Sequence, residues 1–189
     1  SVASQTVMEN VGTVTLTASL SAASGQAVTA TVTLSGTAAL GAGADYTLST
    51  TSISIAAGST SATTVVTVNN DTTDEDNETV ILTLGSLGNA SAGTVAHTLT
   101  ITDNDAAPSV GWALLSQTAS ENVGSATIKA VLSAASGKAI SIPYFVSGTA
   151  SAGSDFDLVD GSLMIAAGAI EATLSVPILD DQIPEPSDK

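Results

Sequence analysis

The chain has 189 residues, is 43% hydrophobic and carries a net charge of −15, from 18 acids against three lysines (Lys129, Lys138, Lys189), with no cysteine. That length holds one large domain or two of ordinary size, and the apolar fraction suffices for a packed core. The charge argues against nucleic acid and anionic lipid as partners, and the lack of cysteine excludes disulfides and thiolate metal sites. Aromatics make up only 3%, so the core must come from Val, Ile, Leu and Ala. No apolar run approaches a membrane span and the first residues lack a basic-then-apolar signal, so any export signal is expected to have been removed or to lie outside this sequence.

In chain order, apolar residues alternate with Thr and Ser, the period-two pattern of half-buried strands. A first strand precedes Glu9. In the second, Val14, Leu16, Ala18 and Leu20 face one way and Thr13, Thr15, Thr17 and Ser19 the other. Further strands are predicted over roughly 27–34, 52–56, 61–69, 79–85 and 94–102. Branching at Cβ suits Val and Thr to a pleated surface. Ser24-Gly25 and Ser136-Gly137 read as hairpin turns, and Asp160-Gly161 as a bend. Gly41-Ala42-Gly43 is a turn and not a phosphate cradle. About seven short strands without helical periodicity predict an all-β, Ig-like Greek-key sandwich.

The pattern then repeats. Glu9-Asn10-Val11-Gly12 returns as Glu121-Asn122-Val123-Gly124, and Ser35-Gly36-Thr37-Ala38 as Ser147-Gly148-Thr149-Ala150, both at an offset of 112. Asp45-Tyr46 matches Asp155-Phe156 and Asp71 matches Asp181 at an offset of 110. A period near 110 suits a tandem array of independent modules. The predicted domains are 1–105, a linker at 106–108 and 109–189. The second copy stops before counterparts of the strands at 79–85 and 94–102. Either the chain continues in the parent protein, or another molecule supplies the missing strands.

Acidic residues concentrate between strands. Asp71, Glu75 and Glu78 stand in the segment 70–78, and Asp181, Glu185 and Asp188 keep the same spacing in the second copy. Glu9 ends the first strand, Asp45 follows the third, and Asp103-Asn104-Asp105 closes the last. If these ends share one pole of the sandwich, seven carboxylates converge: Glu9, Asp45, Asp71, Glu75, Glu78, Asp103 and Asp105. Two carboxylates about 5 Å apart repel by roughly 3 kcal/mol at an effective dielectric near 20. Such a pole needs cations, and all-oxygen ligation from loops suits Ca²⁺ better than Mg²⁺.

The ordered set Glu-x-x-Gly, Gly-Thr-Ala, Asp-Tyr, Asp-x-x-x-Glu-x-x-Glu and Asp-Asn-Asp before a Pro-containing linker resembles the Calx-β domain, a calcium-binding sandwich. The resemblance covers 1–105 and about three quarters of a second copy. It implies Ca²⁺ ligands at Glu9, Asp45, Glu75, Glu78, Asp103 and Asp105. It also implies ligands from the pair opening the acidic loop, Asn70-Asp71 here, where the family often has Asp-Asp. In the second copy the implied ligands are Glu121, Asp155, Asp180, Asp181, Glu185 and Asp188, with no terminal Asp-x-Asp.

Other residues read plainly. Asp74 and Asp76 are expected to face solvent, His97 to be a strand residue, and Trp112 to pack at the start of the second domain. The Asn-x-Ser/Thr sequons at Asn70, Asn77 and Asn89 are expected to be chance matches. The hydroxyls lack a base partner, so no hydrolase triad and no enzyme is expected. The expectation is a calcium-stiffened structural or adhesive module of a secreted or cell-surface protein. Its partners would be other copies of the repeat and host or matrix surfaces. The alternatives are a subunit of a strand-complemented extracellular filament and, by family analogy, a regulatory calcium sensor.

Overall fold

A computed structural model describes residues 3–180. They form two compact units. The first comprises residues up to Thr72 together with Asp76–Asp105; the second comprises Thr73–Glu75 and Ala106 onward.

In the first unit the strands are β1 (Ser4–Met8), β2 (Thr13–Ser19), β3 (Val28–Gly36), β4 (Tyr46–Leu48), β5 (Ser52–Ile55), β6 (Ser61–Val68), β7 (Glu78–Gly88) and β8 (Ala96–Thr102). Five of them form one sheet in the order β1-β8-β7-β3-β5, and the others form β2-β6-β4. Only the β1–β8 pair in these two sheets is parallel. The predicted alternation on β2 is observed: Thr13, Thr15, Thr17 and Ser19 are exposed, while Val14 is buried and Leu16 and Ala18 are half-buried. Val14, Val32, Tyr46, Ile53, Val66, Val80, Leu82, Leu99 and Ile101 pack between the sheets as one core. Aliphatic side chains dominate it, as the scarcity of aromatics requires.

Two local expectations change. Ser24-Gly25 does not close a hairpin, because β2 pairs with β6 and β3 lies in the other sheet. The stretch between β2 and β3 is too long for a two-residue turn and instead crosses between sheets, held by Gly58 N–H donating to Ser24 O (2.8 Å). The second change is an added strand. Tyr46–Leu48 pairs with β6 but is too short for a period-two signal to be read from sequence.

In the second unit the strands are β9 (Val110–Trp112), β10 (Ser125–Leu132), β11 (Ile140–Tyr144), β12 (Gly161–Ile165) and β13 (Glu171–Pro177). They form the sheets β13-β10-β9 and β11-β12. At the repeat offsets, β10, β11, β12 and β13 stand for β2, β3, β5 and β6. Among the described residues nothing stands for β7 and β8, which carry Val80, Leu82, Leu99 and Ile101 in the first unit. The buried apolar side chains here are accordingly few: Ala130, Leu132, Ile165 and Val176. Phe145 and Val159 remain largely exposed.

Candidate metal centre

Glu9 opens a 3-10 turn, Glu9–Val11, directly after β1. The turn ends at Gly12, whose φ of 77° lies in the left-handed region that glycine enters without a Cβ clash. That requirement accounts for the Glu-x-x-Gly motif. Gly12 O then accepts from Val68 N–H (2.7 Å), which ties the turn to the end of β6 and hence to the acidic loop. Glu9 Oε1 accepts from the backbone N–H of Asp71 (2.9 Å).

The exit of β8 approaches the same turn. Asn104 Oδ1 accepts from Asn10 N–H (3.2 Å). Asp103 Oδ1 accepts from Asp105 N–H (3.1 Å), and Asp103 N–H donates to Asn77 Oδ1 (3.0 Å). Carboxylate oxygens of Glu9, Asp71 and Asp105 consequently lie within 4.8 Å of one another. One Ca²⁺ with oxygen contacts of about 2.3–2.6 Å spans such a set, since opposite ligands then stand about 4.6–5.2 Å apart. The donor set is all oxygen and anionic, as a hard divalent cation requires. Asn104 and Asn77 hold this arrangement by accepting the backbone N–H groups of Asn10 and Asp103, roles that sequence reading did not assign. Bonds between residues 94 and 26 positions apart leave no local signal in the sequence.

The other predicted ligands fall in different places. Asp45 is half-buried, and its Oδ2 accepts from Ala39 N–H (2.5 Å), closing the loop before β4. Its backbone O accepts from Asn69 N–H (2.9 Å), while the Asn69 side chain donates to Gly41 O and Ala44 O. Asn70 Nδ2 donates to Asp71 O (2.8 Å). Glu78 begins β7 opposite Ile101. Residues 73–75 group with the second unit, where the Glu75 side chain lies against Gly137. Asp76 is exposed, as expected.

Asp74 departs from expectation, being only 6% exposed. Its carboxylate accepts from Ser136 Oγ (2.8 Å) and pairs with Lys138 Nζ. The hydrogen bond from Lys138, then that from Ser136, hold its pKa below the ordinary 3.8. A buried carboxylate keeps its charge only with such partners.

In the second unit Glu121 opens the equivalent turn, Glu121–Val123, which ends at Gly124 with φ 76°. Ile178 N–H donates to Gly124 O (3.0 Å) and Leu179 N–H to Asp155 O (2.9 Å), as Val68 and Asn69 do in the first. Asp155 Oδ2 accepts from Ser151 N–H (2.5 Å). Asp180 is exposed. Asp181, Glu185 and Asp188 lie outside the described residues.

Charge repulsion is legible at Glu9. Its pKa is raised above 4.5, first by partial burial; the Asp71 N–H bond opposes this, and repulsion from Asp71, Asp105 and Asp103 adds to it. A raised folded-state value means that the native chain holds the extra proton just above pH 4.5. Metal-free stability therefore falls as pH rises through that window. Asp74 acts in the opposite sense and lower down, its contribution being lost as pH falls below 3.8. Thermal melts in chelator should show the decline above pH 4.5 in the wild type and a shallower one in Glu9→Gln. Equal slopes for the two proteins would count against a raised pKa at Glu9.

Among solved structures, CBD12 from CALX1.2 is 20% identical with a TM-score of 0.49, covering 96% of this chain and 74% of that one. The calcium binding domain CBD12 of CALX1.1 is 21% identical with a TM-score of 0.49, covering 95% and 74%. The apo form of the Calx CBD1 domain is 22% identical with a TM-score of 0.47, covering 55% of this chain and 92% of that one. No curated protein sequence matches significantly. The Calx-beta domain family matches residues 1–105 and again residues 103–189, and the chain therefore belongs to that family as a tandem of its domains.

Proposed function

We propose that this chain is a calcium-binding structural module of a secreted or cell-surface protein. The observation that carries the reading is the meeting of Glu9, Asp71 and Asp105, which come from three separate elements of one unit, within 4.8 Å. Bound Ca²⁺ neutralises this cluster. Through Asp105 it also fixes the segment leaving β8, next to Ala106-Ala107-Pro108, where proline already restricts the backbone. The ion is thereby coupled to the stiffness of the linker. Asp103 supports the set by accepting the backbone N–H of Asp105.

The absence of arginine and cysteine and the charge of −15 support an extracellular setting. There calcium is plentiful, and other copies of the repeat or matrix surfaces are the partners. Calorimetric titration of the chain with Ca²⁺ tests the proposal, with Asp71→Ala as the control. An extracellular structural module binds with Kd of about 10⁻⁴–10⁻³ M, a regulatory sensor with about 10⁻⁷–10⁻⁵ M. Binding heat that is absent from the wild type, or undiminished in Asp71→Ala, defeats the reading.

A further inference from the structure

In the second unit, which includes Thr73–Glu75, the buried polar residues among those described are Asp74 and Ser136, at 6% and 1% exposure. Backbone bonds lock the two segments that carry them. Asp74 and Ser136 form a parallel β-bridge, and Gly137 N–H donates to Asp74 O (2.9 Å). The Glu75 side chain covers Gly137 so closely that an added Cβ would stand 2.8 Å from it. Lys138 Nζ then reaches Asp74 Oδ1 (2.5 Å) and Glu75 O (3.3 Å). Lys138 N–H donates to Ser136 Oγ (3.1 Å), whose own proton serves Asp74 Oδ2 (2.8 Å).

The pair Lys129–Glu171 supplies the contrast. Its side chains meet at 2.9 Å but are 42% and 50% exposed, so water competes for both charges. The Asp74 carboxylate has lost almost all of that water, and its two oxygens have different partners. Oδ1 faces an ammonium that enters from the surface, and Oδ2 faces a buried hydroxyl. An amine donor and a carboxyl carbon are thus held together by bonds that neither group makes itself.

We infer that Asp74 and Lys138 are the two halves of an isopeptide bond that the chain forms within itself, the ion pair being the reactant state. The step is a condensation. A proton passes from Nζ to Oδ1 along their hydrogen bond, which leaves a neutral amine beside a carboxylic acid. Nζ attacks Cγ, and the N–C bond forms. The C–Oδ1 bond then breaks, and Oδ1 leaves as water with a second proton from the nitrogen. Oδ2 carries the negative charge of the tetrahedral adduct and remains as the amide oxygen; Ser136 Oγ is placed to stabilise it. No oxidant or other reactant is consumed. Fixing amine and acid in one structure replaces an encounter in solution. The product ties together positions 64 apart, a covalent link that reductants cannot open in a chain without cysteine. It does not involve calcium.

Intact mass spectrometry of the full chain, folded at neutral pH and then denatured, reads the bond directly. The expected mass is that of the sequence less one water molecule. Lys138→Arg and Asp74→Ala should each show their full sequence mass. Trypsin locates the link, because the chain has three lysines and no arginine. Denatured and unlinked, the chain yields the pieces 1–129, 130–138 and 139–189. The linked chain resists cutting after Lys138 and keeps 1–129 joined to 130–189. A wild type of full mass that is cut after Lys138 overturns the inference, and that result does not depend on how the variants fold. A loss of water that persists in Lys138→Arg overturns it too, since the loss would then lie elsewhere, as in a succinimide at Asp160-Gly161.

Discussion

Removing calcium with excess chelator should lower the melting temperature of the first unit by on the order of 10 °C. A ligand at 100 times its Kd stabilises by about 2.7 kcal/mol, and each kcal/mol moves the midpoint of a domain this size by about 4–8 °C. The origin of the effect is electrostatic. Three carboxylates with oxygens within 4.8 Å repel by roughly 3 kcal/mol per pair or more at an effective dielectric near 20, and by less where Asp71 is open to solvent.

Asp71→Ala gives this prediction two signs. The substitution keeps the backbone N–H that donates to Glu9, so the loop stays anchored while one charge is lost. In chelator the variant should melt no lower than the wild type, since repulsion on Glu9 is relieved. In saturating calcium it should melt well below the wild type. Scanning calorimetry under both conditions decides the matter. A variant lower by the same amount in both would mean that Asp71 acts through packing and not through an ion.

Gly36→Ala should destabilise the first unit by about 3 kcal/mol or more, the largest effect expected of a single methyl group here. At φ 120° the residue sits where side chains are strained, at about 1–3 kcal/mol. An added Cβ would also stand 2.1 Å from the backbone O of Thr79 on β7, an atom that cannot move without breaking strand pairing. Gly12→Ala is the matched control. Its φ of 77° is also strained, yet a Cβ there meets nothing within 4 Å. Urea unfolding of both variants separates the two contributions. Equal losses would show that backbone strain, and not the contact with β7, sets the need for glycine at 36.

Particular residues show what could be read in advance. The alternation Val14, Leu16, Ala18, Leu20 marks a half-buried strand because side chains leave a strand on alternating faces, a local property. Glu-Asn-Val-Gly marks a turn because its glycine has to take a positive φ, which is local too. Asp74 was misread because its burial depends on Ser136 and Lys138, more than sixty residues away. Ser24-Gly25 was misread because a turn signal does not say which sheet the next strand joins. Tyr46–Leu48 is recognisable as a strand only through its pairing with β6.

The sequence alone therefore determined the strand content, the duplicated module and the residue types available to hold a hard cation. All of these follow from nearest-neighbour backbone chemistry and from counting. Only the tertiary structure decided that Glu9, Asp71 and Asp105 come together while Asp45 turns to Ala39. The parallel pairing of β1 with β8 and the link from Gly12 to Val68 bring the chain's distant acids together there, and no local pattern encodes such long-range closures.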